Sequence, residues 1–271
     1  MKKTIVITGA SSGIGKATAK HFANKGWHVA ATMRAPQKEA ELNEIDTIKL
    51  YTLDVTNESS IEKAVEQIIN DFGTVDVVLN NAGYGLLGTF EAASQEAIRQ
   101  QFDTNVFGLM NVTRAFLPHF RENRSGTFLN VSSIGGVITF PMMSIYHSSK
   151  WAVEGFSESL AYELGQLGIQ VKLIEPGGVS TDFGGRSMSY ATKEGLTDYD
   201  QASNLFNANI AKTGMQYSTA EFIADGIYNA ATDGTTNLRY PLGVDAEELY
   251  ANRRKAGDQE FVNYMNVQMF D

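Results

Sequence analysis

Tyr146 and Lys150 stand four residues apart in Tyr146-His147-Ser148-Ser149-Lys150. The stretch they open has helical periodicity, and a helix there puts both side chains on one face, one turn apart. A tyrosine of ordinary pKa, about 10, carries protons poorly at neutral pH, and bringing it near 7 takes about 4 kcal/mol. One ammonium about 4 Å away, at an effective dielectric of about 20, supplies that much. Such a phenol can give a proton to a carbonyl oxygen and take it back from the alcohol. Eleven tyrosines and thirteen lysines in 271 residues make one such pair by chance about half the time, so the pair needs company. Thirteen residues upstream, Ser133 closes Asn130-Val131-Ser132-Ser133 at the end of an apolar run. A hydroxyl at the carboxyl end of a strand can polarise a carbonyl, although a lone Ser-Ser pair there reads equally as a turn.

A second constellation is Thr8-Gly9-Ala10-Ser11-Ser12-Gly13-Ile14-Gly15, which leaves a β-branched run and opens a helical one. Glycines let the backbone approach a pyrophosphate, and the N–H groups of a helix start attract its charge. The same residues could make a plain strand-to-helix turn. Placement after the first strand favours a dinucleotide, with Gly9, Ser11, Ser12, Gly13, Ile14 and Gly15 as its contacts. In dinucleotide folds an acid ending the second strand grips the adenosine ribose and repels a 2′-phosphate. Here that strand ends Ala31-Thr32-Met33-Arg34. The acid is missing and Arg34, with Ser12, can bind a ribose phosphate, unless Arg34 is only a solvated strand-end charge.

The Thr-Gly-x-x-x-Gly-x-Gly spacing, Asn80-Asn81-Ala82-Gly83, Asn105-Val106-Phe107-Gly108, Ser133 with Tyr146-x-x-x-Lys150, and Pro176-Gly177-Gly178-Val179-Ser180-Thr181 follow one another in this order. Together they resemble the short-chain dehydrogenase/reductase family over residues 4–181. The Ala-Thr-Met-Arg strand end and Arg239-Tyr240-Pro241-Leu242-Gly243 look like its 17-beta-hydroxysteroid and retinol dehydrogenase branch. The resemblance implies Asn105, Ser133, Tyr146 and Lys150 as the catalytic set, with Asn105 holding a water that relays protons from Lys150. It implies NADP as cofactor, since Met33 stands where NAD-dependent members place Asp. Asp54 and Val55 would meet the adenine, although Asp54-Val55-Thr56 is also good helix-entry chemistry. Asn81, Ala82 and Gly83 would lie against the cofactor; Pro176, Gly177, Val179 and Thr181 would hold the nicotinamide, which Tyr146 and Lys150 also touch.

The elements needed to position these residues are legible. Short β-branched runs at 3–8, 28–33, 48–53, 76–80, 126–132, 169–175 and 238–241 alternate with helical stretches at 13–25, 58–72, 95–121, 144–167 and 219–231. A weaker helix falls at 38–43 and a polar helical tail follows 245. This rhythm predicts an α/β, Rossmann-type, doubly wound parallel seven-stranded sheet flanked by helices on both faces. No repeat or linker divides the chain, so a single domain over 1–271 is expected. Residues 184–215, rich in Gly, Ser, Asn and Thr, read as a substrate lid. Asn105 falls inside the 95–121 helix, where Asn is an unfavourable interior residue and needs a reason.

Composition narrows the partners. A net charge of −9 without a basic run argues against nucleic acid. The absence of cysteine excludes thiolate chemistry, and His21, His28, His119 and His147 lack metal-ligand spacing, so no metal is expected. His147, adjacent to Tyr146 but off its face, reads as structural. The first apolar run is too short for a signal peptide and no later one reaches the roughly 20 residues of a membrane span, so a cytoplasmic protein away from membranes is expected. The walls near Tyr84 to Leu87, Phe140, Met142, Met143 and Phe183 suit a largely apolar carbonyl or alcohol, with core packing as the rival reading. A homodimer or homotetramer through the two long helices would leave Phe107, Phe116, Trp151 and Phe156 exposed in the monomer. Rival functions on this fold are an NADP-binding sensor without catalysis and an epimerase or dehydratase. An intact Tyr-Lys pair argues against the first, and the glycine spacing and lack of a second domain argue against the other.

Overall fold

The computed structural model describes residues 2–181, 187–212 and 217–270. Its organising element is β1 (Thr4–Thr8), five consecutive β-branched residues, all buried. Branching at Cβ favours the extended chain, and an uninterrupted apolar run suits a strand covered on both faces. Ile5 and Ile7 pack on one side with Phe22, Ala19 and Ile227. Val6 packs on the other with Val78, Phe116 and Phe128.

Around it lie β2 (His28–Met33), β3 (Ile48–Thr52), β4 (Val77–Asn80), β6 (Gly126–Val131), β7 (Ile169–Pro176) and β11 (Arg239–Leu242). They form one seven-stranded sheet in the order β11-β7-β6-β4-β1-β2-β3, every neighbouring pair parallel. The chain winds outward from β1 to β3, then returns to β4 on the other side of β1. That reversal opens a crevice at the carboxyl ends of β1 and β4. Helices α1 (Gly13–Asn24), α2 (Glu58–Phe72), α3 (Gln95–Phe102), α4 (Leu109–Asn123) and α5 (Ser144–Gly165) accompany these strands. Asn57 starts α2 by accepting the Ser60 N–H, an N-cap contact that satisfies one of the free donors of a helix start.

The expected 95–121 helix is interrupted. Residues Asp103–Gly108 form a π-helical turn between α3 and α4. Asn105 supplies the cause: its Oδ1 accepts the Tyr84 N–H at 3.0 Å and its Nδ2 donates to the Tyr84 carbonyl at 2.9 Å. A widened turn lets it reach this loop, which resolves the puzzle of an Asn inside a helix. The expected 38–43 helix is instead two 3₁₀ turns, Pro36–Lys38 and Leu42–Glu44.

The described residues of the segment read as a lid include regular secondary structure. β5 (Gly85–Leu87) pairs in parallel with β9 (Met188–Tyr190), and a helix α6 (Asp200–Lys212) follows. Residues 182–186 and 213–216, including Phe183, lie outside the described residues. A two-residue ladder joins β8 (Val179–Ser180) to β10 (Ser218–Thr219), ahead of α7 (Ala220–Thr232). The tail after 245 is α8 (Val244–Ala256) and α9 (Asp258–Phe270). Its Phe261, Met265 and Met269 bury against Phe206 of α6 and Ile134 and Ile138. Phe140 and Met142 join this cluster, so core packing accounts for part of what was read as pocket wall. Phe107 and Trp151 are exposed, whereas Phe116 is wholly buried and Phe156 packs inward. Phe116 therefore belongs to the core and not to an outer face, while Phe156 is partly exposed. Among the described residues no helix is long and apolar enough to cross a membrane.

Candidate active site

The glycine turn sits at the carboxyl end of β1. Gly9 has φ +68°, and a Cβ there would fall 3.0 Å from Ala82 Cα. At Gly15 a Cβ would fall 2.5 Å from both Asn81 Nδ2 and the Gly9 carbonyl oxygen. No side chain fits in either place. Asn81 holds the turn from β4, donating through Nδ2 to the Thr8 and Gly9 carbonyls at 2.9 and 3.2 Å. The Thr8 hydroxyl accepts the N–H groups of Asn81 and Ala82 at 2.9 and 3.0 Å. Ser12, the residue before α1, is extended and makes no side-chain cap. Helix starts normally have their free N–H groups satisfied, and a side-chain-free cradle ending on an uncapped helix fits a pyrophosphate. Gly13 brings Thr181 to this cradle, since a Cβ at Gly13 would lie 3.6 Å from Thr181 Cβ.

Arg34, just past β2, is exposed and makes no ion pair among the described residues. The nearby acids of its loop are already engaged: Lys16 pairs with Glu39 at 3.0 Å and Glu41 at 3.2 Å, and Lys20 with Glu41 at 2.5 Å. Among the described residues Arg34 is therefore an unpaired cation at the end of β2, a group of the kind that binds phosphate. Asp54 Oδ1 accepts the N–H and hydroxyl of Thr56 at 3.0 and 2.8 Å, so one of its oxygens serves the turn into α2, as the helix-entry reading has it.

Ser133 follows β6 and caps the 3₁₀ turn Ile134–Gly136 by accepting the Gly135 N–H at 3.0 Å. Tyr146 and Lys150 descend from the first turns of α5, both buried. The three groups converge: the Ser133 hydroxyl is near enough to the Tyr146 phenol to favour its ionised form, and Lys150 Nζ lies 5.9 Å from the Tyr146 ring centre. Lys150 Nζ donates to the Val131 carbonyl at 2.9 Å. Asn105 Nδ2 reaches Ser149 at 3.2 Å, and Gly83 lies between Asn105 and Lys150.

Burial pushes the Tyr146 phenol above its ordinary value, with the nearby Ser133 hydroxyl offsetting only part of this. Burial also pulls Lys150 down to about 8, against the attraction of Glu154. Within the chain by itself, the desolvation of both groups opposes the lowering of the phenol's pKa. These protein groups keep Tyr146 protonated at neutral pH.

Other residues outside the expected site set support it, His147 in the structural role expected of it. His147 fixes the loop after Ser133 from both ends, through Gly135 and Phe140. Asp245 of α8 accepts the Gly178 N–H at 2.6 Å, and its carboxylate occupies the space a Cβ on Gly177 would need. It thereby sets the loop carrying Pro176, Val179 and Thr181. Glu154, Glu175 and Arg239 form a buried charged cluster behind Lys150. Only the spacing of Glu154, four residues after Lys150, could have flagged it. Among the described residues no three His, Cys, Asp or Glu are grouped to hold a metal.

Comparison with known proteins agrees with this arrangement. Residues 3–190 match the short chain dehydrogenase family. An uncharacterized oxidoreductase of Schizosaccharomyces pombe is 39% identical over 237 residues, 88% of this chain and 99% of that one. A 3-ketodihydrosphingosine reductase of Bacteroides thetaiotaomicron is 45% identical over 179 residues, covering 66% of this chain and 65% of the other. Human retinol dehydrogenase 8 is 38% identical over 196 residues, 69% of this chain and 62% of its own. A solved short-chain dehydrogenase from Streptomyces avermitilis superposes with TM-score 0.85 at 31% identity, over 98% and 97% of the two chains. ElxO with NADP bound gives 0.74 at 29%, over 89% and 98%. A 3-ketoacyl-(acyl-carrier-protein) reductase from Brucella melitensis with NADH gives 0.74 at 26%, over 88% and 96%. Strand order, glycine cradle and the Ser-Tyr-Lys cluster thus coincide with sequence similarity along most of the chain, which belongs to the short-chain dehydrogenase family of oxidoreductases.

Proposed function

We propose that the protein is an NADP(H)-dependent oxidoreductase interconverting a carbonyl compound and an alcohol, with Tyr146 as general acid and base. The observation that carries this reading is the convergence of Ser133, Tyr146 and Lys150 beside the glycine cradle. When bound, the nicotinamide supplies or accepts the hydride. Ser133 would polarise the substrate oxygen, and Tyr146, held protonated, would deliver its proton to that oxygen. Lys150 would place its positive charge below the phenol, and Asn105 would hold Tyr84 and Gly83 in position. Gly9, Ser11, Ser12, Gly13, Ile14 and Gly15 would hold the pyrophosphate. Asn81, Ala82, Gly83, Asp54, Val55, Pro176, Gly177, Val179 and Thr181 would border the remainder of the cofactor.

The uncompensated charge of Arg34 supports NADP over NAD. The apolar Leu86, Leu87 and Met143 among the expected wall residues support a largely apolar small molecule, and the likeness to a 3-ketodihydrosphingosine reductase and a retinol dehydrogenase points the same way. A homodimer or homotetramer through α4 and α5 fits the exposed Phe107 and Trp151. A single domain acting in the cytoplasm, away from membranes and nucleic acid, fits the fold and charge.

Titration with NADPH and NADH by fluorescence, followed by a ketone and aldehyde screen, tests this. NADPH should bind more tightly, Arg34→Asp should lose or reverse the preference, and Tyr146→Phe should keep nucleotide binding while losing about 10²-fold or more in kcat. Absence of binding by either nucleotide would sink the reading. Tighter binding of NADH would remove the role given to Arg34 alone. Nucleotide binding without turnover of any carbonyl would favour a sensor.

A further inference from the structure

Behind Lys150 lies a cluster that the mechanism above does not use. Glu154 follows Lys150 by one turn on the same face of α5, and it is 5% exposed. Glu175, near the end of β7, is 0% exposed. Arg239, at the start of β11, faces both, with Nε 3.0 Å from Glu154 Oε2 and 3.3 Å from Glu175 Oε1. Its other arm is spent on Glu158, a partly exposed acid on α5, at 2.6 Å.

The hydrogen-bond inventory is unequal. Arg239 Nε donates to Glu154 Oε2. Neither oxygen of Glu175, nor Oε1 of Glu154, accepts a hydrogen bond from an N–H group. An ionised, fully buried carboxylate with no donor is among the most unfavourable arrangements a protein interior can hold. Glu154 shares the same guanidinium, and two carboxylates that share one site cannot both ionise readily. A proton on Glu175 removes the conflict. Its O–H can then donate to the vacant side of Glu154, leaving one negative charge between the two, on the residue Arg239 already grips.

We propose that Glu175 and Glu154 share one proton, and that the remaining charge on Glu154 keeps Lys150 an ammonium during turnover, making Glu154 a positioning residue of the reaction. The inference rests on Lys150 acting as proposed above. Other charged or polar groups facing the pair do not replace it: Ser132 beside Glu154 is neutral, Arg239 is shared with Glu158, and Arg254 on α8 adds positive charge toward Glu175. Consistent with a shared proton, burial and mutual repulsion push Glu175 up to about 8, and Glu154 is also raised. Such a pair titrates as a unit.

The test is the pH profile of NADPH-dependent kcat for wild type, Glu154→Gln, Glu154→Asp and Glu175→Gln, alongside infrared difference spectra of the wild type. Loss of the Glu154 charge should move the alkaline limb down by about one pH unit, a roughly tenfold weaker hold on the Lys150 proton. Glu154→Asp should restore the limb even if kcat is lower. Glu175→Gln, neutral like the protonated acid, should leave it in place. The wild type at pH 7 should show the C=O stretch of a buried protonated carboxyl, disappearing near pH 8 and absent in Glu175→Gln. An unmoved limb in Glu154→Gln, a limb moved by Glu175→Gln alone, or no protonated carboxyl at pH 7 would overturn the proposal. The wild-type spectra need neither Glu154→Gln nor turnover. They therefore decide the shared proton even if Glu154→Gln is insoluble or the oxidoreductase reading fails.

Discussion

His147 Nε2 accepts the backbone N–H of Phe140 at 2.9 Å, while Nδ1 of the same ring reaches the Gly135 carbonyl at 2.8 Å. One buried imidazole thus ties α5, immediately after Tyr146, to both ends of the loop that begins at Ser133. The bonds assign the neutral tautomer with its proton on Nδ1. Adding a second proton would turn Nε2 from acceptor to donor and break the hold on Phe140.

His147→Ala should therefore destabilise the protein by about 2–3 kcal/mol, since it strands two main-chain groups. Burial depresses the His147 pKa below its ordinary value. Its contribution to stability is then complete above about 6.5 and is lost as pH falls through the folded-state value. Thermal midpoints measured from pH 7.5 down to 5 should drop more steeply for wild type than for His147→Ala. Parallel curves would show that the ring contributes nothing through its neutral form.

Gly15→Ala forces a methyl onto Asn81 Nδ2 and the Gly9 carbonyl, both already hydrogen-bonded to each other. Backbone cannot swing aside as a long side chain can. We expect NADPH affinity to fall by about tenfold or more while the sheet survives, because the cradle and not the core is deformed. Calorimetric binding set beside a melting curve separates the two effects, and unchanged affinity would contradict the cradle assignment.

Asn130 links the core of the sheet to α5. Its Oδ1 accepts from Asn80 Nδ2 at 2.9 Å and its Nδ2 donates to Ser157 at 2.9 Å, while Asn80 also donates to Thr113 at 3.0 Å. All four residues are buried. Asn130→Leu should cost about 2–4 kcal/mol, because polar partners lose their bonds and water cannot replace them. A urea unfolding midpoint within error of the wild type would refute a structural role for the chain.

Lys172 is buried and pairs with the partly exposed Asp233 at 2.7 Å. The lysine, Tyr240 and Thr235 hold the Asp233 carboxyl well below the usual carboxylate range despite some burial. The stabilisation is therefore present above about pH 4 and lost as pH falls further. Asp233→Asn should be less stable by about 2 kcal/mol at pH 7, a figure reduced for its partial exposure. The gap should narrow in acid, and a gap that widens below pH 4 would reverse the sign.

The strands were legible because their β-branched runs are continuous, as in Thr4–Thr8, where both faces are covered. The Ser133, Tyr146 and Lys150 cluster was legible because its spacing suits one helix and one strand end. Sequence could not reveal the break at Asn105, which depends on a bond to Tyr84, 21 residues away. Nor could it foresee the β5–β9 pairing, because three-residue ladders carry little periodicity. The opposing pKa directions of Tyr146 and Lys150 were hidden for a related reason: spacing gives the separation along a helix, while desolvation depends on everything packed around it.

The π turn at Asp103–Gly108 carries a further consequence. A helix advances about 100° per residue, so one residue accommodated by widening keeps the faces before and after it in phase with different neighbours. Deleting a single residue from this turn would let α3 and α4 merge into one regular helix with better internal bonding. The same repair would swing Asn105 away from Tyr84 and leave the Gly83 loop without its anchor. A shortened variant should then melt higher locally and work worse, so selection for robustness alone would erase the turn, whereas selection for reactivity would preserve it.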